Sequence, residues 1–75
     1  MIFSVMGFHP GRDDLVFEHS ISLSVADLIP VMQWTNTNEC VGVDIRLIAA
    51  QVLEVEHLAS VVFPEGLDLY LTSFD

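Results

Sequence analysis

The sequence predicts an α+β fold: a small antiparallel sheet of about three strands, in the order β-β-α-α-β, with two helices on one face. Three observations predict it. Two β-rich runs flank a Pro-Gly loop near the N-terminus, two stretches with helical spacing of apolar residues follow, and the C-terminal residues alternate apolar and polar. With 75 residues, and neither an internal repeat nor a linker-like stretch, residues 1–75 form a single compact domain.

Residues Ile2 to Phe8 are apolar at nearly every position and read as a strand. His9-Pro10-Gly11-Arg12-Asp13-Asp14 follows, and Pro-Gly suits the centre of a type II turn because glycine accepts the positive φ of the third position. From Leu15 to Ser22 the pattern alternates, with Leu15, Phe17 and His19 on one side and Val16, Glu18 and Ser20 on the other. A hairpin is the expectation. Ser24, with Asp27 three residues on, opens a capping-box-like helix through Val25, Leu28, Ile29 and Met32. Pro30 leaves the start open. Past the first turn of a helix begun at Ser24 it should kink the backbone, whereas an N-cap at Asp27 would place it in the first turn.

Thr35-Asn36-Thr37-Asn38 ends that helix as a polar loop, and Val41-Gly42-Val43-Asp44 suits either a short extended piece or an approach to the second helix. Ile48, Val52, Val55, Ala59 and Val62 recur at helical spacing, and Glu54, His57 and Ser60 mark a wetter side. The spacing predicts a helix over roughly Ala49 to Val62, or one begun a turn earlier, stopped by Pro64-Glu65-Gly66. Leu67, Leu69, Leu71 and Ser73 then alternate with Asp68, Tyr70, Thr72 and Phe74, which predicts a last strand. Helices on one face leave the other sheet face open, with Val16, Glu18, Tyr70 and Phe74 or their alternates upon it.

Composition narrows the function. Eleven carboxylates face two basic side chains, Arg12 and Arg46, for a net charge of −9 in a chain that is 52% hydrophobic. Disordered acidic tails are poor in apolar residues, so this charge belongs to a folded module. Unpartnered carboxylates attract a basic surface at long range, which points to a basic protein partner. Direct contact with nucleic acid is disfavoured, since Lys and Arg make phosphate contacts. The start MIFSVMGFHP does not read as a secretory leader, and no apolar run is long enough for a membrane span. One cysteine, Cys40, gives no disulfide framework, so the expected setting is a reducing, cytoplasmic one.

Catalytic chemistry finds little support. His9, His19 and His57 stand in no paired ligand spacing, so no metal is expected. Glu39 beside Cys40 disfavours a thiolate nucleophile. Glu54 and Glu56, two residues apart on a helix, cannot form a carboxylate dyad. With no phosphate loop or nucleophile elbow either, neither catalysis nor a cofactor is expected. Trp34 fits core packing better than an interface anchor. The expected partner-binding residues are Asp13, Asp14, Glu18, Glu65 and Asp68, with Tyr70 as the apolar anchor and the helix acids Glu54 and Glu56 as the alternative patch.

The segment Leu47-Ile48-Ala49-Ala50-Gln51, the opening strand-turn-strand, the short helix and the Leu67-Asp68-Leu69-Tyr70-Leu71 end together resemble the immunity proteins of bacterial contact-dependent growth inhibition systems. The likeness covers most of the chain in layout and carries no site residue across. It implies a non-enzymatic inhibitor of a cognate toxin. Charge adds a physical reason to expect a nuclease toxin domain, because a nuclease binds its polyanion through a basic cleft that an acidic protein can fill. A small homodimer, joined at a sheet edge or the open face, or an obligate subunit of a larger assembly, is the competing expectation.

Overall fold

A computed structural model describes residues 2–35 and 43–74. It contains β1 (Ile2–Phe8), β2 (Leu15–Ile21), α1 (Val25–Met32), β3 (Ile45–Arg46), α2 (Ala49–Ala59) and β4 (Asp68–Phe74). The α+β class is as expected, but the sheet has four strands, in the order β2-β1-β4-β3 and antiparallel throughout. The added strand is β3, two residues long, and the Leu47 N–H extends its pairing by donating to the Leu69 carbonyl at 2.8 Å. Two residues are too short to show a period of two, and the extended piece weighed at Val41-Gly42-Val43-Asp44 stops just before them. Cys40, Glu39 and the 36–42 part of the expected loop lie outside the described residues.

The final strand does not lie at an edge: β1 and β4 are central, and β2 and β3 are the edges. Centrality explains why β1 is apolar almost throughout and why Phe3 and Val5 are fully buried. The β1–β2 connection contains the expected type II turn: Arg12 N–H donates to His9 O at 3.0 Å, and Gly11 takes φ +78°. A bulge follows, since Gly7 pairs with Phe17 and Phe8 with Leu15, leaving Val16 as the extra residue.

Both helices cover the face that carries Phe3, Val5, Ile21, Leu69 and Leu71, and Leu28, Met32, Val55 and Phe63 complete the core. Trp34 stacks on Phe3 with ring centroids 6.2 Å apart, the core role expected of it. Gly7 lies where a Cβ would meet Phe17 Cβ at 3.2 Å and Leu67 Cδ1 at 2.9 Å, so close helix-side packing needs glycine there.

The capping evidence settles the start of α1. Ser24 Oγ accepts the Asp27 N–H at 3.2 Å while Asp27 Oδ2 accepts the Ser24 N–H at 2.9 Å. Pro30 therefore falls inside the helix, which ends within three residues at Gln33 in the left-handed region. The second helix is shorter than its apolar spacing suggested. It stops at Ala59 because Ser60 turns left-handed (φ 57°), and Glu56 Oε2 then accepts the Phe63 N–H at 2.7 Å to hold the chain as it leaves. Val62 is consequently outside the helix and 88% exposed.

Candidate interaction surface

Paired residues in a sheet point to the same side, so the register defines the face away from the helices. One row across it reads Glu18, Met6, Tyr70, Arg46, running from β2 through β1 and β4 to β3. Leu15, Phe8 and Asp68 form the next row towards the hairpin tip. On the other side come Ser20, Ser4 and Thr72, and then Ile2 with Phe74. Among the described residues no helix lies over this side. Ile2 and Phe74 (55% and 49% exposed) form an apolar spot at one end of this side and Leu15 (50%) stands at the other, with the Ser20, Ser4 and Thr72 row between them.

Aromatic contact organises its centre. The Phe8 and Tyr70 rings meet edge to face, with centroids 5.6 Å apart. Beside them is a cavity of about 210 Å3, lined by Met6, Phe8 and Tyr70 and by Asp13, Asp44 and Asp68, with Arg12 also in its wall. Arg46 donates to Asp68 Oδ1 at 2.9 Å. Arg12 stands 3.9 Å from Asp14, and both of those side chains are largely exposed. Among the described residues these are the ion pairs of the chain, and Asp13, Asp44 and Glu18 have none. Both arginines thus lie on this side, and carboxylates still outnumber them.

The structure groups five of the six expected partner-binding residues here. Asp13 and Asp14 are at the hairpin tip, Glu18 is on β2, and Asp68 and Tyr70 are on β4. Glu65 is elsewhere: it lines a groove with Ala49, Leu53, Glu56 and Val62 on the helix side. Its nearness to Asp68 in sequence was misleading because the turn at Gly66 (φ +80°) separates the two. Sequence reasoning missed Met6, Phe8, Arg46 and Asp44. Period-two alternation from Tyr70 through its pairing partners would have found the first two, and no local signal marks Asp44.

The alternative helix patch is divided. Glu56 is engaged by Phe63, whereas Glu54 lines a groove of about 650 Å3 between the helices with Asp27, Pro30, Val31, Ile48 and Leu58. His9, His19 and His57 are exposed, in the β1–β2 turn, on β2 and on α2 respectively. Among the described residues no group of three or more His, Cys, Asp or Glu could hold a metal ion, and no helix is long and apolar enough to cross a membrane. Family models, curated proteins and solved structures were all compared with this chain, and none matches it.

Proposed function

We propose that this chain is a non-enzymatic acidic binding protein whose open sheet face docks a basic protein, in the manner of an immunity protein neutralising a cognate nuclease toxin in the cytoplasm. The observation that carries the reading is the Phe8–Tyr70 aromatic pair set beside the carboxylates of Asp13, Asp44 and Asp68 on that face. Apolar area and aromatic anchors supply affinity, while the charged rim speeds encounter and rejects wrong partners. A second copy of the chain suits the surface less well, since it would bring the same surplus of negative charge against its own kind.

Immobilised protein should retain a basic protein from the native host, and adding the free chain in equimolar amount should stop that protein cleaving nucleic acid. Glu18→Lys should chiefly slow association. Tyr70→Ala should speed dissociation, with a loss of about 2 kcal/mol or more for a buried anchor. Should Glu54→Lys abolish binding while Glu18→Lys and Tyr70→Ala leave it intact, the partner sits on the helices and the assignment fails.

The homodimer reading draws on one separate observation: Leu53 on α2 is 67% exposed, and Val62 is more exposed still. Sedimentation at high concentration separates the two readings. A dimer that persists in high salt and is lost in Leu53→Ser favours self-association, and a monomer favours the basic partner.

A further inference from the structure

We propose that the cavity between β1, β4 and the hairpin tip receives one arginine side chain of the docked partner. The proposal rests on the open sheet face being the partner surface and adds the chemistry of its central contact. Size suits one long side chain: about 210 Å3 is smaller than the roughly 300 Å3 from which small-molecule sites typically run. The walls set the sign. Asp13 and Asp44 have no ion pair among the described residues, and Asp68 adds a third carboxylate that Arg46 already contacts. An anionic or purely apolar tip would face those carboxylates uncompensated, whereas a cation answers them.

The aromatic side selects among cations. Phe8 and Tyr70 give the cavity ring surface beside the carboxylates, a setting in which a planar guanidinium can stack and form forked hydrogen bonds at once. An ammonium is a compact point charge and uses only part of that geometry. The chain supplies an internal parallel, because its own Arg12 forms part of the same wall. Among the described residues the Arg12 side chain is held by an exposed contact of 3.9 Å with Asp14, and exposed pairs of that kind are weak. It therefore yields to an incoming guanidinium and meanwhile competes with it.

The test is an NMR titration of the intact chain with N-acetyl-arginine methylamide, alongside the lysine and glutamine analogues. Saturable shifts are expected at the Phe8 and Tyr70 rings and at the Asp13 and Asp44 amides, strongest for the arginine analogue and absent for glutamine. Asp44→Asn should weaken the effect and Arg12→Ala should strengthen it, each by about two- to fivefold, as for an exposed charge contact. Both substitutions are at exposed positions, so the fold survives them. Shifts spread evenly over all carboxylates, including Glu54, or insensitivity to Asp44→Asn, would overturn the site. Weaker binding in Arg12→Ala would overturn Arg12 as a competitor, and a lysine analogue that binds as well as arginine would overturn the choice of guanidinium. If the cavity fails these tests while Tyr70→Ala still releases the partner, the sheet face stands and only its central contact is reassigned.

Discussion

Glu56 accepts the Phe63 N–H at 2.7 Å, so it serves the exit from α2 as well as the negative field of the chain. Hydrogen bonds to charged groups contribute about 1.5–3 kcal/mol, and Glu56→Ala should destabilise the fold by an amount of that order, measured by urea denaturation. Glu54→Ala, with an exposed side chain, should leave stability nearly unchanged. Ser4 presents the opposite case. Its hydroxyl is buried on the sheet with no hydrogen-bond partner among the described residues, and an unsatisfied buried group is a cost. Ser4→Ala is therefore expected to be neutral or to stabilise by up to about 1 kcal/mol. At Gly7 the tight approach of Phe17 and Leu67 makes Gly7→Val an overpacking change, with a loss of about 1–3 kcal/mol in the same assay.

Among the elements, α1 carries the clearest local conflict. Its capping box fixes the start at Ser24, yet Pro30 has no N–H to give the Ala26 carbonyl one turn back. Pro30→Ala should restore that bond and raise stability by about 1 kcal/mol or more, net of the greater freedom gained by the unfolded chain. Loss of the Ser24 cap, as in Ser24→Ala, should cost about 1 kcal/mol. Thermal melts of the two variants would thus move in opposite directions. The elements with strong periodicity or caps were the ones legible in sequence: the hairpin, the Ser24 start, the position of α2 and the last strand. Where tertiary context decided, sequence was silent. The two-residue β3 exists only because β4 offers it an edge, and α2 ends at Ala59 because Ser60 and Glu56 turn the chain, although Val62 continues the apolar spacing.

Across the whole molecule, charge and apolar surface are distributed unevenly. Both arginines lie on the sheet side, while Asp27, Glu54, Glu56 and Glu65 lie towards the helices. Composition revealed the surplus of carboxylates, and strand alternation placed Glu18 and Tyr70 together. Neither could show that Glu65 faces away or that Asp44 joins the group, because those depend on how loops cross the sheet. For a partner steered by this field, the association rate should fall steeply as salt rises above about 0.1 M, with dissociation changing far less; stopped-flow mixing across salt concentrations would show it.

The pairing of Ile2 with Phe74 has a consequence for how the fold is assembled. The first strand needs the last as its neighbour, so nearly the whole chain must be looped back before the sheet is complete. A β1–β2 hairpin can form early, but until β4 arrives β1 keeps one edge unpaired and its inner side only partly covered. Amide hydrogens of β1, paired on both edges, and of β4 around residues 69–71, where β3 also pairs, should exchange slowest and together, with those of β2 and β3 released earlier. A chain cut before Asp68 is thus left with a seven-residue apolar strand and a free edge, a template for pairing with identical strands. Such a fragment should aggregate instead of persisting as a smaller domain, and light scattering would show it.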